Sequence, residues 1–110
     1  MAIVVGVGSV LVLCRAPRHL TAGQARSWLG EQLCAVEAMP GVGDAALVEL
    51  EAPSRRFPRH WAWLVRVGLA DGQRPGALLE SRPWTTWVGD LRLLGMDPAI
   101  VVPAGEVALP

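Results

Sequence analysis

The sequence predicts a single α+β domain of β-α-β-β-α-β order, with a four-stranded antiparallel sheet that carries its helices on one face. Three observations lead there. Short runs rich in Val and Leu alternate with two longer segments whose apolar residues recur every three or four positions, the period of a helix with one buried face. Two of the strand-like runs, 44–52 and 60–69, follow each other across a polar, Pro-bounded loop of hairpin type. The length of 110 residues fits one domain, 1–110, and is enough to bury roughly two-thirds of the unfolded surface without staples.

The first strand is Ser9–Arg15, short and aliphatic, stopped by Ala16-Pro17 and preceded by a looser extension at Gly6 and Gly8. Thr21-Ala-Gly-Gln reads as a capping box, in which the Thr21 hydroxyl accepts from the backbone three residues on and Gln24 reaches back to the Thr21 N–H. The helix it opens places Ala25, Trp28, Leu29, Leu33 and Val36 on one stripe and turns Gln24, Arg26, Ser27 and Glu31 away. Met39-Pro40-Gly41 ends it, because proline bars the preceding residue from the α region. The second strand, Asp44–Ala52, alternates, and the third runs from His60 to Leu69. Asp71-Gly72 and Pro75-Gly76 mark the next turn, and Ala77–Glu80 fits a short helical turn. A second long helix starts at Ser81-Arg82-Pro83, carries Trp84, Trp87, Val88, Leu91 and Leu94 as its stripe, and stops at Gly95. Ile100-Val-Val-Pro supplies a short last strand, and 103–110 reads as a loose tail.

Composition narrows the function classes. The chain is 52% hydrophobic and only 18% charged, more apolar than a small monomer's surface needs, so a subunit interface is expected to take the surplus. No run approaches the roughly 18 apolar residues of a membrane span. Ten cationic and ten acidic side chains cancel, which argues against nucleic acid as a partner. All ten cations are Arg, and Lys, Asn and Tyr are absent, the bias of a GC-rich bacterial genome. Cys14 and Cys34 match neither a disulfide framework nor a zinc spacing and read as buried free thiols. The apolar start lacks the charged region of a signal peptide, so a cytoplasmic protein is expected. No metal-ligand spacing and no phosphate-binding Gly-rich loop occurs, and no cofactor is implied.

Strand parity then sorts the side chains. The more apolar face, Val10, Val12, Cys14, Ala46, Val48, Leu50, Trp61, Trp63, Val65 and Val67, is assigned to the helices. The other face carries Leu11, Leu13, Arg15, Leu47, Glu49, Glu51, His60, Ala62, Leu64 and Arg66, apolar in the middle and charged toward the strand ends. Three readings of Arg15, Glu49, His60 and Arg66 stay open. Glu49 and Arg66 form a cross-strand ion pair at a wet or subunit-facing edge. Alternatively, Arg15 and Arg66 hold the carboxylate or enolate of a ligand in a cavity. In the third reading, His60 or Glu49 serves as a general base beside them. Trp84 and Trp87 read as packing, or as the lining of a cavity mouth. His19, in the loop before the first helix, and Arg55, Arg56 and Arg59, at the hairpin tip, read as solvated residues.

Two stretches carry a family resemblance. Arg15-Ala-Pro-Arg-His-Leu-Thr precedes a helix that bears Trp28 and ends in Met39-Pro-Gly-Val. Leu79-Glu-Ser-Arg-Pro-Trp precedes a helix ending in Leu-Leu-Gly. Across Ser9 to Val102 the chain resembles the ferredoxin-like dimeric α+β barrels, in particular the EthD-like members. The resemblance implies a homodimer joined through the open sheet face, with a space between the sheets for an apolar or anionic small molecule. It implies no single activity, since the chain lacks both the Asn and Tyr of the antibiotic-synthesis monooxygenases and a His-containing segment after the first helix. Two functions remain: a small-molecule binder or cofactor-independent enzyme of oxygenase, dehydratase or isomerase type, and a non-catalytic dimeric assembly module.

Overall fold

The computed structural model describes residues 8–51 and 60–104. The Gly6 extension, the loop with Arg55, Arg56 and Arg59, and the tail beyond 104 lie outside the described residues. The elements are β1 (Ser9–Arg15), α1 (Ala22–Glu37), β2 (Val42–Glu49), β3 (Trp61–Leu69), α2 (Pro75–Leu79), α3 (Arg82–Leu93) and β4 (Ala99–Val101). The sheet order is β2-β3-β1-β4 and every neighbouring pair is antiparallel. Each long helix therefore connects two strands that are separated by a third, the arrangement of two interleaved β-α-β units.

The capping box forms as the sequence predicts. Gln24 N donates to Thr21 Oγ1 at 3.1 Å, and Thr21 N donates to Gln24 Oε1 at 2.9 Å. Ser81 does not cap α3 with its side chain; its hydroxyl donates to Leu78 O at 2.7 Å and closes the short helix before it. The core lies between one sheet face and the helices. Val10, Val12 and Cys14 of β1 and Trp63, Val65 and Val67 of β3 meet Ala25, Leu29 and Val36 of α1 and Trp84, Trp87, Val88 and Leu91 of α3. Val10, Val12, Val65 and Val67 are fully buried, each worth roughly 1.5–3 kcal/mol relative to exposure. Trp28 and Leu33, on the expected stripe of α1, are only half-buried.

Three placements correct the sequence reading. β2 is in the opposite phase: Ala45 and Leu47 lie opposite Val67 and Val65 on the helix side, whereas Ala46 and Val48 lie opposite Arg66 and Leu64 on the open side. Both parities of this strand are apolar in the middle, and Gly43 adds one residue between Val42 and Asp44, which sets the phase. At the other end, Cys14 pairs with Trp63 but Arg15 pairs with Trp61, so Ala62 is the extra residue and Trp61 joins Arg15 instead of the core. Cys34 is exposed, while Cys14 is buried as expected.

These placements give unequal losses. With the open sheet face left in solvent, as in the single chain, Leu47→Ala should cost on the order of 2 kcal/mol and Val48→Ala under about 0.5 kcal/mol in urea unfolding of the two variants. Trp63→Ala should cost about 3–5 kcal/mol, and Trp61→Ala clearly less. The reverse ranking in either pair would mean that the strand faces are assigned wrongly.

Candidate functional site

The open sheet face has an apolar middle and two polar ends. Leu11, Leu13, Leu64, Ala46 and Val48 make the middle, extended by Ala99 and Val101, which lie opposite Leu13 and Leu11. Val48 is 37% and Val101 43% exposed, so this strip is left open to solvent by the single chain.

One end is an ion pair. The Arg66 guanidinium donates to Asp44 Oδ2 at 3.2 Å. Asp44 lies opposite Gly68, where a Cβ would fall 1.9 Å from Asp44 Oδ1; glycine leaves room for the carboxylate to lie over the strand toward Arg66. Both side chains are partly in solvent, so the pair contributes at most about 1 kcal/mol. Its effect is to neutralise Arg66.

The other end gathers around Arg15. Its guanidinium carbon stands 4.1 Å from the centre of the Trp61 ring. Such a cation–π contact is worth about 0.5–2 kcal/mol, depending on desolvation. Arg15 N donates to Met96 O at 2.7 Å, which ties the loop between α3 and β4 to the end of β1. In that loop Asp97 takes φ 44°, the left-handed region that aspartate tolerates better than most residues. His60 immediately precedes β3. Its Nδ1 is buried with no hydrogen-bond partner among the described residues, a condition that costs roughly 1–3 kcal/mol.

The four polar residues singled out in the sequence do not converge. Arg15 lies four positions beyond Leu11, the register partner of Arg66, so the two arginines stand about 13 Å apart along the sheet. Glu49 is opposite Trp63 on the helix side, where it accepts a 2.6 Å bond from Arg26, whose guanidinium carbon is 6.0 Å from the Trp63 ring centre. The cross-strand partner of Arg66 is thus Asp44, not Glu49. Trp84 and Trp87 are 1% and 3% exposed, their rings tilted at 58° with centres 5.2 Å apart within the core. Trp84 does border a pocket of about 170 Å³ with Leu79, Val88 and Ile100, below the roughly 300 Å³ at which ligand pockets begin. The sequence reading does not single out Asp44 or Trp61 for this face: Asp44 sits at the start of the predicted second strand, and parity assigns Trp61 to the core.

Among the described residues, no group of three or more His, Cys, Asp or Glu is placed to hold a metal ion, and no helix is long and apolar enough to cross a membrane.

The strand order, the antiparallel pairing and the helices on one face define a ferredoxin-like α+β protein. Two solved structures share that arrangement. One is a dimeric ferredoxin-like protein of unknown function from Thermobifida fusca, 13% identical, with a TM-score of 0.59 over 84% of this chain and 85% of that one. The other is a DABB-family protein with a ferredoxin-like fold from Mesorhizobium loti, 14% identical, with a TM-score of 0.61 over 88% of this chain and 97% of that one. At such identities the likeness establishes the fold. No protein-family profile matches the chain, and no curated protein matches it.

Cys14 lies next to Arg15 on the buried side, and burial pushes its thiol from 9.0 up to about 12. Iodoacetamide at pH 8 should therefore label one cysteine, Cys34, in the folded protein and both after denaturation, as counted by mass spectrometry. Between pH 9 and about 12 the unfolded chain gives up the Cys14 proton while the folded chain keeps it, so this group's contribution lowers stability as pH rises through that window. Cys14→Ala should remove that part of the pH dependence in alkaline urea titrations.

Proposed function

We propose that the protein is a homodimer whose two open sheet faces enclose a space for a small, largely apolar molecule with an anionic group, bound at the Arg15 end. The observation that carries the reading is the layout of that face: an apolar strip with the Asp44–Arg66 ion pair at one end and Arg15 lying on the Trp61 ring at the other. Covering the strip removes apolar area from water, and a second copy of the same face is its self-complementary partner. The dimeric ferredoxin-like protein from Thermobifida fusca supports a pairing of this kind.

At the Arg15 end, the guanidinium binds a carboxylate or enolate by charge-assisted hydrogen bonds while Trp61 packs against the apolar body of the molecule. His60 is the group proposed to exchange a proton with it, supported by an Nδ1 that is buried without a partner among the described residues. Glu49, Arg66, Trp84 and Trp87 take no part at this end. The finer EthD-like reading rests on the Arg15-Ala-Pro and Met39-Pro-Gly-Val stretches. A bacterial cytoplasm is proposed as the setting, supported by the all-arginine cation set and by two free thiols.

A non-catalytic assembly module is the second reading, favoured by one specific fact: the Arg66 end of the face is an ion pair that satisfies itself.

Analytical ultracentrifugation should give twice the 11.7 kDa chain mass at micromolar concentration, and Leu13→Glu with Leu64→Glu should return the chain mass. A wild-type monomer would overturn the proposal. Benzoate titrated into the dimer should quench tryptophan fluorescence, with binding weakened about tenfold or more by Arg15→Gln, the loss of one charge-assisted contact. A dimer that ignores benzoate and related aromatic carboxylates leaves the assembly reading.

A further inference from the structure

The helix layer carries a second surface, on the side of the molecule away from the open sheet face. Two adjoining hollows, about 610 and 260 Å³, share Trp28 and Leu94 and form one groove between α1 and the end of α3. Its α1 wall is a helical stripe, Gln24, Ser27, Trp28, Glu31 and Gln32, and its α3 wall is Asp90, Leu93 and Leu94. Leu93 is 86% exposed, the most exposed of the large hydrophobic residues on the described surface, and Trp28 is only half-buried. Leu93 lies outside the core cluster, and Trp28 packs against the core while keeping part of its surface in the groove. Leu93 follows a helix stripe that buries Trp84, Trp87, Val88 and Leu91 on the other side.

We propose that this groove is the docking site for a cationic amphipathic helix of a partner protein. Shape and charge both point to that occupant. The groove runs from Thr21 to Gln32, about 16 Å of helix at 1.5 Å per residue, which matches three turns of a second helix. It is too open to bury most of a small ligand's surface, which small-molecule sites do. Its charged lining residues are Glu31 and Asp90, both acidic and exposed, one on each wall. A helix with Leu or Met at i, i+3, i+4 and i+7 covers Trp28, Leu93 and Leu94, while Lys or Arg on its flanks meets the two carboxylates. Trp28, shared by both hollows, offers an indole as a cation–π partner for an arginine of such a helix. The surface is separate from the sheet face that pairs the two copies, so the proposed dimer would present two such grooves.

The test uses the full chain and a 16-residue synthetic peptide with Leu at positions 4, 7, 8 and 11 and Lys on both flanks. Backbone amide spectra of the isotope-labelled protein should shift along 20–32 and 90–95 and stay fixed on β1 and β3. Leu93→Ser changes an exposed side chain, so it should leave the fold intact and weaken the peptide tenfold or more. Glu31→Lys with Asp90→Lys should weaken it similarly and should favour the same peptide with Glu in place of Lys. The proposal is overturned by shifts on the open sheet face, by no shift at millimolar peptide, or by equal affinity for the Lys and Glu peptides. It is also overturned if Leu93→Ser lowers the oligomer mass in sedimentation, which would assign the groove to a second copy of this chain.

Discussion

Everything in this fold depends on sealing one face of the two central strands. Val10, Val12 and Cys14 on β1 lie opposite Val67, Val65 and Trp63 on β3, and all six are buried. Neither strand is at a sheet edge, so their backbones are satisfied on both sides and their apolar side chains decide where α1 and α3 must lie. That burial outweighs the surface ion pairs of the described residues. The ion pairs Arg26–Glu49 and Arg66–Asp44 are largely in water and tune the surface without holding the fold.

Once one face is sealed, the other is fixed by alternation. Leu11, Leu13 and Leu64 cannot be inside because Val10, Val12 and Val65 are. The open strip is therefore a necessary by-product of the core, and the polar ends are what selection could vary. At one end Gly68 admits a carboxylate that cancels Arg66. At the other, the extra residue Ala62 turns Trp61 out of the core and under Arg15. The two bulges, at Gly43 and Ala62, thus do more to shape the face than its regular stretches do.

Those same bulges mark where the sequence stopped being legible. The central strands, the capping box at Thr21, both long helices and the element order could be read, because a strong period and local hydrogen-bond chemistry specify them. The phase of β2 could not. Ala45-Ala-Leu-Val is apolar on both parities, and the remaining cue, Glu49 and Glu51 flanking Leu50, misleads, since the long Glu49 side chain escapes the core by reaching Arg26. Trp61 followed Trp63 by parity until Ala62 broke the count. A bulge is a tertiary choice made by register, and no residue type near Ala62 announces it. The candidate site follows the same pattern: Glu49 leaves the predicted group because β2 is in the other phase, Arg66 keeps its face but lies about four residues along the sheet from Arg15, and Asp44 is hard to read because its place depends on Gly68 across the strand.

The sheet's borders set how the protein avoids uncontrolled growth. β4 is only three residues long, too short to template another strand. β2, the other border, begins with a bulge at Gly43 and carries exposed carboxylates at Asp44 and Glu49. A foreign strand approaching that border would meet a broken hydrogen-bond ladder and a charged, solvated ion pair at each end. Edge-to-edge polymerisation is discouraged on both sides, so contacts between copies in a crowded cell are channelled away from the open-ended stacking that leads to fibrils.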